Sequence, residues 1–265
     1  GGSSGAEWNG AATTRVDLTD PSMILRALDA AEPDVVLHAA AISDAEQVRR
    51  DPAYAQRVNV DAVATIAGWC EARGRRLVFT STDMVFDGAR AWSREDDAPQ
   101  PVLAYGRTKQ AAEAVAARAS NSVVARISLL YGPTRNGRPT FYDKAVAGLR
   151  AGVAQTFYDD EFRTPLDYRT AAEILAALVA SDARGVVHVG GRERLSRHGL
   201  MARVAAGLGL DASLVRGNSR TEVRFEEPRP ADVSLDTSRL EALLPGLERP
   251  PVEEAVRAMH AASEG

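Results

Sequence analysis

Arg76-Leu77-Val78-Phe79-Thr80-Ser81-Thr82 is an apolar run that turns polar at its carboxyl end, and the chain around it repeats the same scheme. A short run rich in Leu, Val and Phe reads as a strand buried on both faces. Gly74, just before it, is placed to end a helix. That helix is predicted over about residues 52–73, with Ala55, Val58, Ala62, Ile66 and Trp69 along one face. Upstream, Asp34-Val35-Val36-Leu37-His38-Ala39-Ala40 reads as a second buried strand bounded by Pro33. Asp20-Pro21 supplies the N-cap and first turn of a helix, and Thr14-Arg15-Val16-Asp17-Leu18 reads as a short strand. Downstream come a helix over about 104–119 and the strand Ser122-Val123-Val124-Ala125-Arg126-Ile127. A helix near 168–180, the strand Gly185-Val186-Val187-His188-Val189, a helix over about 197–208 and a terminal helix after Pro251 follow. Strands alternating with helices predict an α/β protein, a parallel sheet with helices on both faces.

Composition narrows the class. The 265 residues are 45% hydrophobic and 26% charged, ordinary for a globular enzyme. A net charge of −4 gives no reason to expect nucleic acid or an anionic membrane as partner. Cys70 is the single cysteine, which excludes an intrachain disulfide and a cysteine-rich metal site, and no histidine pair has ligand spacing; no metal is expected. No apolar run approaches the roughly 18–20 residues of a membrane span, and Gly1-Gly2-Ser3-Ser4-Gly5 is not a secretory signal, so a cytoplasmic location is expected.

The chemistry concentrates in Thr80-Ser81-Thr82-Asp83-Met84-Val85-Phe86-Asp87-Gly88 and Tyr105-Gly106-Arg107-Thr108-Lys109. On a helix, Tyr105 and Lys109 share a face at i and i+4. A tyrosine of pKa near 10 is a poor proton shuttle at neutral pH, and a neighbouring ammonium favours its ionised form. Thr82 places a hydroxyl at the carboxyl end of a strand, where open α/β sheets bind ligands. One hydroxyl, one phenol and one ammonium are what reduction of a carbonyl by hydride needs beyond its cofactor.

Those two segments resemble dTDP-4-dehydrorhamnose reductase and its relatives among the extended short-chain dehydrogenases/reductases. Further pieces fall in family order over about residues 14–245: Asp17-Leu18-Thr19-Asp20, His38-Ala39-Ala40-Ala41, Val58-Asn59-Val60, Arg126 through Tyr131-Gly132-Pro133, and Pro228-Arg229-Pro230-Ala231-Asp232. The resemblance implies a Rossmann-type cofactor-binding domain over 1–139, a substrate-region insertion over 140–167, a return to the sheet over 168–192 and a small C-terminal substrate-binding region over 193–265. It implies an NADP or NAD cofactor, contacted by Gly2, Gly5, Asp17, Leu18, His38, Ala39, Ala40, Ala41, Asn59, Thr80, Ser81, Tyr105 and Lys109. Tyr105 is the implied proton donor, Lys109 the ribose-binding cation, and Thr82 the group that aligns the carbonyl. Asp83, Met84, Leu129, Arg163 and Arg229 join Thr82 as implied substrate contacts, the substrate being a small molecule such as a nucleotide-sugar. A homodimer through the helices at about 52–73 and 104–119 is a further implication.

The sequence departs from the family at its start. Gly2-Ser3-Ser4-Gly5 has Gly-x-x-Gly spacing, but Trp8 stands where a third glycine belongs and no apolar strand precedes the turn. The family's first βαβ unit, whose glycines let a pyrophosphate approach a helix N-terminus, is not spelled out. Residues missing from the sequence, a shortened chain and a natural non-reductase all stay open as explanations. Met84 and Leu129 stand where the rhamnose-pathway enzymes carry aromatic residues, which loosens the assignment to a dTDP-sugar. Two other functions stay in view: an epimerase or dehydratase that regenerates its cofactor, and a non-catalytic regulatory or binding subunit. Asp159-Asp160-Glu161 reads as a solvated acidic loop, and His38 and His188 read as structural histidines, His38 bordering the cofactor cleft.

Overall fold

The computed structural model describes residues 7, 8, 11–134 and 138–264. The chain interleaves two compact units, one of Gly1–Ser81, Leu103–Ala125 and Ser181–Val186, the other of Thr82–Val102, Arg126–Ala180 and Val187–Gly265. The principal sheet orders its strands Gly185–Val189, Ser122–Ile127, Arg76–Thr82, Val35–His38. Val35–His38 and Arg76–Thr82 run parallel, Val35 opposite Arg76 and His38 opposite Phe79.

In the first unit, helix α1 (Pro21–Ala31) opens on Asp20, whose carboxylate accepts the backbone N–H groups of Ser22 and Met23. Helices α2 (Ala45–Arg50) and α3 (Pro52–Gln56) lead through a single π-turn, Arg57–Asp61, into α4 (Ala62–Ala72). Gly74 ends the run at φ +62°, with the Arg75 N–H reaching back to the Cys70 carbonyl. The predicted helix over 52–73 is therefore present but carries an extra residue in one turn, a distortion often found beside functional sites. Ile24, Ile66, Trp69, Leu77, Phe79, Ala112, Ala116 and Val124 form the core. Trp69 adds a polar tie, its indole N–H donating to Asp29 at 2.7 Å. Every residue of Arg76–Thr82 is buried, its apolar centre Leu77-Val78-Phe79 and its polar ends alike. One expectation fails: Thr14–Val16 pairs with no described strand, and Asp17 closes a turn by accepting the N–H and hydroxyl of Thr19. That local acceptor competes with a ladder partner and wins.

The second unit packs α6 (Phe141–Arg150), α7 (Tyr168–Ala180), α8 (Arg197–Gly207), α9 (Ser238–Leu243) and α10 (Val252–Glu264) with several short strand pairs. Tyr131, Tyr142, Leu149, Leu200, Met201, Val204, Val256 and Met259 make its core. Gly207 lets α8 approach α10 closely; a Cβ there would lie 2.8 Å from the Glu253 Cα. The longest strand pair is parallel, Gln155–Tyr158 against Val215–Asn218.

Charge is buried in pairs in this unit. Arg163 Nη1 meets Asp83 Oδ1 at 2.8 Å with both side chains almost wholly inaccessible, and Ser128 donates its hydroxyl to the other Asp83 oxygen at 3.0 Å. Removing one partner would strand the other charge, which costs about 3–5 kcal/mol, whereas replacing both with apolar groups is often neutral. Asp83→Asn should therefore lower the unfolding free energy by about that amount in urea titrations. The double variant Asp83→Leu/Arg163→Met should recover more than half of the loss. A single variant as stable as the unchanged protein would show that the pair is not holding this region.

Candidate active site

Helix α5 (Ala104–Ala116) carries Tyr105, Lys109 and Glu113 at i, i+4 and i+8, a spacing that aligns them on one face. Lys109 is 2% exposed. Its Nζ donates to the Thr80 carbonyl at 2.7 Å and lies 4.2 Å from the centre of the Phe79 ring. Burial pulls its pKa down to about 8, the Glu113 carboxylate opposing part of that fall. His38 stacks on the same Phe79, ring centres 6.1 Å apart. Burial, reinforced by the Lys109 charge, lowers its pKa to about 4, so its imidazole is neutral at physiological pH. Its Nε2 is buried with no hydrogen-bond partner among the described residues.

Asn59 sits inside the π-turn and acts as a clasp. Its Oδ1 accepts the Ile42 N–H at 2.8 Å, while Nδ2 donates to the Ile42 carbonyl and to Thr108 Oγ1. Thr108 in turn donates to the Tyr105 carbonyl at 2.8 Å. One amide thus ties the segment after His38-Ala39-Ala40-Ala41 to the first turn of α5. Ala39 and Ala40 are exposed, so the backbone at the end of the Val35–His38 strand is open to approach.

In the second unit, Thr82 accepts the Met84 N–H and donates to Asp83 Oδ1, capping the short turn Asp83–Val85. A cleft of about 460 Å³ is bordered by Phe141, Phe157, Tyr158, Arg197, Asn218 and Arg229. Glu161 lies beneath it, 1% exposed, and takes both arginines. Arg229 forks onto it through Nε and Nη2, and Arg197 Nε reaches Oε2 at 3.2 Å. Arg197 lies over Phe141, and Arg229 over Tyr158 and Phe225. Two guanidiniums against one carboxylate leave the cleft wall with surplus positive charge. Asn218 Oδ1 is buried there with no hydrogen-bond partner among the described residues. Cations, aromatic faces and an unsatisfied amide suit a ligand that joins a planar ring to an anion.

The profile described as RmlD substrate binding domain matches residues 2–264. The chain belongs to that family. Among curated relatives, the probable low-salt glycan biosynthesis reductase Agl14 of Haloferax volcanii is 28% identical over 94% of this chain and 84% of its own. Methionine adenosyltransferase 2 subunit beta of Bos taurus is 30% identical over 89% of this chain and 72% of its own. The dTDP-4-dehydrorhamnose reductase of Bacillus anthracis, solved with NADP, superposes with a TM-score of 0.84 at 21% identity, covering 93% of this chain and 87% of that one. A hypothetical dTDP-4-dehydrorhamnose reductase from Sulfolobus tokodaii superposes at 0.82 with 26% identity, covering 95% and 88%. These likenesses establish the Rossmann-type α/β fold.

Within this RmlD-family fold, His38, Ala39, Ala40, Ala41, Asn59, Thr80, Ser81, Tyr105 and Lys109 fall in the first unit, and Lys109, Thr80 and His38 form one connected group. Asp17 and Leu18 are in that unit too, Asp17 exposed and Leu18 partly buried against its core. Gly2 and Gly5 lie outside the described residues. Thr82, Asp83, Met84, Leu129, Arg163 and Arg229 belong to the second unit. There Asp83 and Arg163 neutralise each other, and Met84 and Leu129 rest against apolar clusters. Glu161 corrects the reading of residues 159–161 as a solvated loop, because two arginines compensate its burial. Glu113, Arg197 and Asn218 were not singled out from sequence. Only Glu113 left a signal there, its i+4 spacing from Lys109. Composition held another: two of the 32 basic residues are lysines, and one of them is Lys109.

A buried ammonium with a pKa near 8 is a stability liability at neutral pH, at 1.36 kcal/mol for each unit below its ordinary value. Lys109→Met keeps the volume and removes the charge. The stability of the unchanged protein relative to this variant, followed in denaturant titrations, should rise as pH climbs from 8 towards 10.5, where its folded form loses the proton while its unfolded chain keeps it. A relative stability that stays flat across that range would mean that the ammonium keeps its ordinary pKa.

Proposed function

We propose that this protein is an NAD(P)H-dependent reductase of a keto group on a nucleotide-sugar or a similar polar metabolite, working as an extended short-chain dehydrogenase/reductase. The observation that carries the reading is Lys109, a buried ammonium with one carbonyl bond, set one helical turn from Tyr105. An ammonium has three donors, so two remain for a ribose. His38 Nε2, buried and unpartnered, fits the same dinucleotide, as do the open Ala39 and Ala40. When bound there, the nicotinamide supplies hydride chemistry.

The chain's own residues do the rest. Tyr105 gives its phenolic proton to the substrate oxygen as negative charge grows on it. Lys109 favours the resulting tyrosinate and holds the ribose. In the second unit, Thr82 is assigned the hydrogen bond that aligns the carbonyl, for which its hydroxyl turns away from Asp83 Oδ1. Thr80, Ser81, Asp17 and Leu18 would join in holding the cofactor. Arg229 and Arg197 hold the diphosphate of the substrate by charge-assisted hydrogen bonds, and the aromatic side chains around them stack its base. Asp83 and Arg163 shape the substrate side as a neutral pair, with Met84 and Leu129 as its apolar wall.

Likeness to methionine adenosyltransferase 2 subunit beta favours a second reading, a non-catalytic regulatory or binding subunit. Turnover separates the two. With a dTDP-4-keto-6-deoxy sugar and NADPH, the unchanged protein should consume NADPH. Tyr105→Phe should lower kcat by about 10²–10⁴ while leaving NADPH affinity within a few-fold, the size of effect removal of a general acid produces. Equal rates in both proteins would remove Tyr105 from the chemistry. Product formed without net loss of NADPH would place the protein with the epimerases.

A further inference from the structure

Lys109 and Glu113 grip consecutive residues of one strand. Lys109 Nζ holds the Thr80 carbonyl at 2.7 Å, and Glu113 Oε1 accepts the Ser81 hydroxyl at 2.5 Å. Both side chains leave α5 on the face that carries Tyr105, and both are buried, Glu113 at 8% exposure. The next residue along the strand is Thr82. A carboxylate so placed does two things. It fixes the rotation of the strand where the polar residues begin, and it puts a negative charge one helical turn from an ammonium that burial would otherwise deprotonate.

Other groups around Lys109 do not supply that charge. From the neighbouring strand comes His38, held neutral by burial. The π-turn and α4 present buried Val58, Asn59, Val60, Val63 and Ile66. The charged residues of these elements and of α2 are exposed: Glu46, Arg49 and Arg50 in one cluster of ion pairs, with Arg57, Asp61 and Glu71 elsewhere. On α5 itself Arg107 is exposed, and Tyr105 carries charge only as a tyrosinate.

We propose that Glu113 is a positioning residue of the reductase reaction, keeping Lys109 charged and the Thr80-Ser81-Thr82 strand end in place. The inference rests on the reductase reading for its role in turnover but not for its test. The lysine content makes the test direct, since Lys109 and Lys144 are the only two lysines. Protein carrying Lys144→Arg and labelled with carbon-13 at the lysine ε position gives one side-chain signal, whose shift against pH reports Lys109 alone.

In the Glu113→Gln variant, which keeps an acceptor for Ser81 but loses the charge, the Lys109 midpoint should fall by about one unit or more. Glu113→Asp should bring it back toward the starting value. A merely structural glutamate would alter the melting temperature in both variants and leave the midpoint in place. An unmoved or raised midpoint in folded Glu113→Gln overturns the proposal. So does a midpoint that falls as far in Glu113→Asp as in Glu113→Gln. If either variant fails to fold, Ser81→Ala carries the same decision: it frees the carboxylate from its anchor, so the midpoint should shift, and no shift counts against the proposal. Because no cofactor or substrate is present, these outcomes are independent of whether the protein turns over a keto-sugar. Loss of that reaction with the midpoint shift intact would sink the reductase reading and leave the Lys109–Glu113 coupling standing.

Discussion

An ammonium sealed beneath a sheet, bonded to one main-chain carbonyl, is the constraint around which the first unit is organised. Desolvating a cation is expensive, and proteins seldom do it without compensation. Here compensation comes from the Thr80 carbonyl, the face of Phe79 and the carboxylate of Glu113. Each is set by regular structure. Thr80 and Phe79 belong to a strand buried along its whole length, and Glu113 lies one turn further along the helix that carries Lys109. The cost remains visible as a lowered pKa, and a site that tolerates such a cost commonly uses the group for chemistry.

The second unit follows the same physical rule with different residues. Asp83 is buried because Arg163 and Ser128 satisfy it; Glu161 is buried because Arg197 and Arg229 do. The first arrangement is a closed pair and contributes shape. The second leaves an excess guanidinium beside aromatic rings at an open cleft, so its charge is available to a ligand. That difference separates residues that build the unit from residues suited to bind.

Much of this was readable in the sequence, for identifiable reasons. Ser122–Ile127, Tyr168–Ala180 and Gly185–Val189 match their predicted bounds because an uninterrupted apolar run or a 3.6-residue stripe reports local structure directly. The Asp20 cap and the Gly74 stop are likewise local. Thr14–Val16 resembled a strand in composition, but a strand also needs a partner, and composition does not say whether one exists. Tyr105 and Lys109 were legible by their spacing. Glu161 was misread because an acidic residue looks solvated until the arginines that bury it are known, and those lie 36 and 68 residues downstream. Arg197 and Asn218 were invisible for the same reason: a cleft wall assembled from distant segments has no linear pattern.

If the reductase reading holds, Lys109 and the strand ends beside it receive a nicotinamide dinucleotide. Fluorescence titration with NADPH and NADH, run on the unchanged protein and on Lys109→Met, decides this. Saturable binding of at least one dinucleotide is expected, weakened about tenfold or more by the loss of a charged donor. A flat titration of the unchanged protein, or equal affinity in the variant, would rule such a site out.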